Sequence, residues 1–120
     1  DRTPAATAEG PIAFTANLPE SWQSLRGVHG GFATALATAS IAAVEPERHI
    51  RTVHAAFLRP TTVGPVDIVV TTMRRGRTLS THRASMRQAG IDVLEVVVTL
   101  CEPTDGPDWT TTHLPRPSPV

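Results

Sequence analysis

The stretch of this 120-residue chain best equipped for chemistry is Gly27-Val28-His29-Gly30-Gly31, which runs directly into an alanine-rich segment from Phe32 to Val44. The first N–H groups of a helix have no acceptor inside it, and the positive end of the helix dipole lies beside them. Glycines leave those groups unshielded. A carbonyl oxygen or an anion is the ligand that such a place suits. Gly30 and Gly31 are therefore candidate oxyanion donors, with His29 as a candidate general base beside them. A plainer reading has the same cause. Two glycines also let a helix approach a sheet closely, and His29 can hydrogen-bond neighbouring backbone, the role favoured for it here.

Four further features carry possible chemistry. Thr34 and Thr38 sit four apart and share a helix face, where they can bond a water or a substrate carbonyl; a helical threonine more often bonds its own preceding turn. Arg74, Arg75 and Arg77 cluster around Gly76 and suit phosphate geometry, or form a solvated hairpin tip. Cys101 ends an apolar run and reads as a small core residue rather than a nucleophile. His49, His54, His82 and His113 lack metal-ligand spacing, so neither a metal nor another cofactor is expected.

The elements that must position these groups follow from pattern. Ile12 to Asn17 alternates weakly as a strand, and Leu18-Pro19-Glu20-Ser21 is a turn. The dominance of Ala, Leu and Ile predicts a helix over 30–44, stopped by Glu45-Pro46. Strands follow at His49 to Leu58, Val66 to Arg74, Thr78 to Gln88 and Ile91 to Cys101. The connections are Arg59-Pro60, Val63-Gly64-Pro65, Arg75-Gly76-Arg77, where Gly76 is available for a positive φ, and Ala89-Gly90. The helix carries no charge from Phe32 to Val44, which a surface helix normally would. One buried helix against one antiparallel sheet of about five strands is an α+β layer design.

Composition bounds the partners. The formal net charge is zero, with eleven basic and eleven acidic residues and every basic residue an arginine. Such balance gives no electrostatic reason for nucleic acid or an anionic membrane surface. One cysteine excludes an internal disulfide and fits a reducing, cytoplasmic setting. No apolar run reaches spanning length, and the chain does not begin with Met, as if processed or cut from something longer. Residues 1–11 read as a loose segment, 12–102 as one domain and 103–120 as a Pro-rich linker or tail.

In order and spacing, these residues resemble the hotdog fold, and more narrowly the TesB-like acyl-CoA thioesterases, whose chains carry two tandem hotdog units. The matching stretches are Val28-His29-Gly30-Gly31-Phe32, Thr52-Val53-His54 leading to Phe57-Leu58-Arg59-Pro60, Gly64-Pro65-Val66, Arg74-Arg75-Gly76-Arg77-Thr78-Leu79-Ser80-Thr81 and Met86-Arg87-Gln88. The resemblance covers Phe14 to Glu102 and matches the first unit of such a chain. It implies one helix wrapped by a curved sheet, an acyl-CoA or acyl-carrier thioester as substrate, and a second hotdog unit as partner. It makes Phe57, Thr34 and Thr38 candidate substrate contacts, and Arg75 and Arg77 candidate partners for phosphate. In TesB-like enzymes the catalytic acid, hydroxyl and amide sit on the second unit. In single-domain relatives a carboxylate follows along the helix, but here Thr38 stands near that position.

Two functions follow from the resemblance. In one, the chain is part of a thioesterase: water attacks the thioester carbonyl, helix-start amides hold the oxyanion, and a partner unit activates the water. In the other, it is a non-catalytic structural or acyl-binding unit, a reading the uncharged helix favours for this chain by itself. A hydratase is disfavoured, since Ser21 to His29 offers a histidine but no aspartate.

Overall fold

The computed structural model describes residues 10–119. Strand β1 spans Ile12–Leu18, and a short 3-10 turn covers Glu20–Trp22. A small hairpin pairs β2 (Gln23–Ser24) with β3 (Gly27–Val28). Helix α1 spans Gly30–Val44, followed by β4 (His49–Phe57), β5 (Gly64–Arg75), β6 (Leu79–Gln88) and β7 (Ile91–Cys101). The five long strands form one antiparallel sheet in the order β1-β5-β6-β7-β4. One helix packed on one curved sheet is the expected hotdog architecture.

Alternation decides which side of the sheet the helix covers. Val66, Ile68 and Val70 of β5, Ala84 and Met86 of β6, and Leu94, Val96, Val98 and Leu100 of β7 are all buried on one face. Ala33, Ala37, Ser40 and Ile41 of α1 pack onto them at helical spacing. The small side chains let the helix lie close. The opposite stripe of Gly31, Ala35, Ala39 and Ala43 is exposed in the single chain, so the uncharged helix is not buried all round.

The sequence reading of the elements stands with small shifts. The helix and β7 have the expected bounds. Strand β5 begins two residues early, at Gly64, because β1 pairs it as far as Leu18↔Gly64. The β2–β3 hairpin was not foreseen, since two-residue strands carry no readable period. Ala89 and Gly90 both have positive φ, 52° and 76°, which joins β6 to β7 in a tight turn. Gly76 departs from expectation, for its φ is not positive. Its backbone N–H donates to the Leu79 carbonyl at 2.7 Å, and a side chain there would meet that carbonyl at 2.8 Å. Closeness of backbone, not handedness, requires the glycine. Beyond Cys101 the described residues form no helix or strand. The last tether is Glu102 N–H to the Thr78 carbonyl at 3.0 Å.

Candidate active-site cleft at the helix N-terminus

His29 caps α1. Its Nδ1 accepts the Gly31 N–H at 3.1 Å, and its carbonyl accepts from Phe32 and Ala33 at 3.1 and 3.2 Å. The ring nitrogen that accepts carries no proton, so in the neutral ring the proton sits on Nε2, which has no partner among the described residues. Of the amides at 30–33, only the Gly30 N–H has no acceptor among the described residues. The second expected donor, the Gly31 amide, is already engaged by His29.

The two glycines are held by different neighbours. A Cβ on Gly30 would lie 2.9 Å from the Phe57 ring, and one on Gly31 would lie 2.9 Å from Cε1 of the His29 imidazole. Gly30 thus admits Phe57 across the helix start, while Gly31 admits the imidazole that caps it. Trp22 stacks on Phe32 with centroids 5.3 Å apart and lies 6.0 Å from the His29 ring, which walls the cap on its outer side.

Next to this cap lies an open cleft of about 350 Å³. The β2–β3 hairpin forms one wall through Ser24, Arg26 and Val28. The chain after β4 forms the other through Phe57, Leu58, Arg59 and Thr61, with Gly30 at the helix start between them. Both walls are anchored through backbone. The Val28 N–H donates to the Thr61 carbonyl at 3.1 Å. The Leu58 and Arg59 amides both donate to Val93 of β7, at 3.0 and 3.2 Å. Gly27, with φ +130°, makes the hairpin's approach possible, because a Cβ there would sit 2.2 Å from the Thr61 carbonyl oxygen. No Asp or Glu lines the cleft.

The other site candidates lie apart from it. Thr38 Oγ1 donates to the Thr34 carbonyl at 2.7 Å, the local bond expected of a helical threonine. Thr34 Oγ1 is buried without a hydrogen-bond partner. Arg75 faces Glu45, and the Arg77 carbonyl accepts from Arg48. Glu45 follows the last turn of α1, so these two arginines belong to the far end of a helix about 22 Å long. The structure does not bring them to the Gly30 cleft.

That far end holds a polar cluster that sequence reading missed. Glu45 and His82 are 3% and 0% exposed. Glu45 Oε1 lies 2.9 Å from His82 Nε2, Ser80 Oγ donates to Glu45 Oε2 at 3.2 Å, and Thr72 Oγ1 lies 3.0 Å from His82 Nδ1. Arg48 adds an ion pair to Glu45 at 3.3 Å and one to Glu102 at 3.1 Å, and donates to Ser80. Burial pushes the Glu45 carboxyl up. Hydrogen bonds from His82 and Ser80, with the charges of Arg48 and Arg75, outweigh that effect and hold it below the usual carboxylate range. A signal was available: Ser80 and His82 alternate in phase with the apolar Ala84 and Met86 on the inward face of β6, and a buried polar group requires a partner.

The sequence pattern of the acyl-CoA thioesterase N-terminal domain family matches residues 18–101. No protein of curated function matches the chain. Among solved structures, the tesB protein of Mycobacterium avium subspecies paratuberculosis is similar, at 26% identity and a TM-score of 0.73. The match covers 89% of this chain and 42% of that one. A mutant of the phenylacetic acid degradation protein PaaI from Thermus thermophilus has a TM-score of 0.71 at 22% identity, over 79% of this chain and 87% of that one. The smu.793 protein of Streptococcus mutans, solved with acetyl CoA, has a TM-score of 0.71 at 16% identity, over 78% and 81%. Matched over most of its folded length, this chain belongs to the acyl-CoA thioesterase N-terminal domain family.

Proposed function

We propose that this chain is one hotdog unit of a TesB-like acyl-CoA thioesterase, and that it hydrolyses acyl thioesters together with a second hotdog unit. The observation that carries this reading is the composition of the cleft. It offers one amide, at Gly30, with no acceptor among the described residues, and no carboxylate among its lining residues, while His29 caps the adjoining helix start. Those groups suit an oxyanion. They do not supply a base.

In this reading the thioester carbonyl points its oxygen at the Gly30 N–H, with His29 as a donor rather than a base. A carboxylate of the second unit takes a proton from water as the water oxygen bonds to the carbonyl carbon. The tetrahedral oxyanion then collapses, the C–S bond breaks, and the proton passes to the leaving thiolate. Phe57, which lines the cleft, flanks the acyl side. Acetyl CoA and coenzyme A in structural neighbours of this fold support the substrate class.

Edge strand β4 supports the second unit. Ile50, Val53 and Phe57 sit opposite Leu100, Val98 and Leu94 in register, and so share their face of the sheet. The β7 residues are fully buried, yet Ile50, Val53 and Phe57 are 48%, 44% and 61% exposed. An apolar edge with its backbone groups open is a surface that requires cover. The non-catalytic reading is favoured by the same lack of a carboxylate. Steady-state hydrolysis of acyl-CoA by the assembled protein separates the two. Turnover that falls on substitution of Gly30 supports the enzyme, while tight acyl-CoA binding without turnover supports the binding unit.

A further inference from the structure

We infer that Arg26 and Arg59 form a phosphate-binding pair at the cleft, which holds the phosphorylated carrier of the acyl thioester. This rests on the thioesterase reading of the same cleft and adds what recognises the carrier. The sequence pointed instead to Arg75 and Arg77, which stand at the far end of α1.

Four observations converge. First, Arg26 and Arg59 are the charged residues lining the cleft, one on each wall. Second, neither guanidinium has an ion pair or side-chain hydrogen bond among the described residues. This contrasts with Arg48, Arg75, Arg83 and Arg87, each set against Glu or Asp. Third, both backbones are fixed. Arg59 N–H is bonded to the Val93 carbonyl. The hairpin that carries Arg26 is closed by Ser24 Oγ donating to the Gly27 carbonyl at 2.8 Å, and is clamped to Thr61 through Val28. Fourth, Thr61 is buried, and its neighbour Thr62 is held by both ends of the Gln88 amide, at 2.8 and 2.7 Å.

Two cations on anchored segments lining one cleft, with no anion among the described residues to neutralise them, make a binding place for an external anion. Arginine presents a planar fork that matches phosphate oxygens two at a time. The thioester itself is uncharged, so the anion is on the carrier. Coenzyme A carries phosphates on its nucleotide end and on pantetheine, whereas a carrier protein presents the pantetheine phosphate alone. The pair serves either source through the same chemistry.

The test measures binding and turnover in the full chain in the assembly it forms in solution, for wild type, Arg26→Gln, Arg59→Gln and the double variant. Calorimetry uses coenzyme A, 4′-phosphopantetheine and phosphate-free pantetheine as probes. Each substitution should weaken coenzyme A by about tenfold, and the double variant by more. The loss should exceed that for pantetheine by at least that factor, and wild-type affinity for coenzyme A should fall as salt rises. Equal losses of coenzyme A and 4′-phosphopantetheine place the pair on the pantetheine phosphate. A loss confined to coenzyme A places it on the nucleotide phosphates. In kinetics with acyl-CoA the effect should fall on KM far more than on kcat. Unchanged coenzyme A affinity in the double variant, or an equal loss of pantetheine, overturns the inference. So does a loss of assembly without loss of coenzyme A, which would assign the arginines to carboxylates of a partner unit. Phosphate-dependent binding in a wild type that hydrolyses no acyl-CoA would instead overturn the thioesterase reading and leave the pair in place.

Discussion

The two ends of α1 are built on opposite plans. At the C-terminal end, Glu45 meets His82, Ser80 and Arg48 inside the protein, drawing together the helix cap, the turn after it, β6 and the start of the tail. At the N-terminal end, two glycines replace bulk, and two arginines line an open cleft; among the described residues the Gly30 amide has no acceptor and the arginines have no counter-charge. Polar groups satisfied by the protein hold a fold together. Polar groups left unsatisfied at a cleft are available to a ligand. Under the proposed function, the contrast places stability at one end and recognition at the other.

The largest effect expected from breaking this contrast is at Glu45. Glu45→Ala leaves Arg48 and His82 without their shared partner in the interior. Removing one member of a buried charged pair typically costs ~3–5 kcal/mol, which urea unfolding would register. The pH dependence has a definite sign. The folded-state Glu45 carboxyl titrates lower than in the unfolded chain, so its contribution is fully present above the ordinary carboxylate range and fades as pH falls through that range and below. Glu45→Gln should flatten the acid limb of the stability curve relative to wild type.

Gly27→Ala comes next. Its Cβ would overlap the Thr61 carbonyl oxygen, and its φ of +130° is strained for any L side chain. A loss of roughly 1–3 kcal/mol is expected. The change should also part the cleft walls, so coenzyme A affinity should drop further than global unfolding accounts for.

Gly30→Val is expected to act on function more than on stability. The new side chain displaces the Phe57 ring, which is exposed and free to yield, and crowds the amide proposed for the oxyanion. Loss of a single oxyanion donor costs ~2.7–4 kcal/mol of transition-state stabilisation in a well-studied protease, so kcat should fall at least a hundredfold. Gly31→Val acts differently. It presses on the His29 imidazole and should cost cap stability first.

The smallest effect is at Thr34. Its hydroxyl is buried and unpartnered, so Thr34→Val keeps the shape and removes an unsatisfied group. Thermal stability should hold or rise slightly. A fall in turnover at unchanged stability would give Thr34 its substrate-contacting role.

The sequence made one of these ends legible and hid the other, for physical reasons. The His29-Gly30-Gly31 cap is a local feature, so its residues are adjacent in the chain and their chemistry can be read directly. The Ala-, Leu- and Ile-rich composition up to Glu45-Pro46 and the apolar run after Ala89-Gly90 likewise marked the bounds of α1 and β7. The Glu45–His82 cluster joins residues 37 positions apart, and nothing local marks a glutamate after a helix as a buried partner for a strand histidine. The arginines show the same limit. Arg75 and Arg77 stood out as a run, but topology places them at the other end of α1 from the Gly30 cleft. Arg26 and Arg59, isolated in sequence, are brought to one cleft by the hairpin's bond to Thr61. The exposure of β4 was equally invisible, because His49 to Phe57 alternates as any half-buried strand does. Only its edge position in the sheet leaves the inward side chains uncovered.

The proposed need for a second hotdog unit is tested most directly at Val53, half-exposed on the helix-facing side of edge strand β4. Sedimentation velocity and acyl-CoA hydrolysis would be measured on the same preparations of wild type and Val53→Asp, with circular dichroism to confirm that both fold. The account predicts that the wild-type unit sediments paired with a second hotdog unit and turns over acyl-CoA, and that Val53→Asp yields a folded single unit with little or no turnover. A folded single unit that hydrolyses acyl-CoA at the wild-type rate would contradict it.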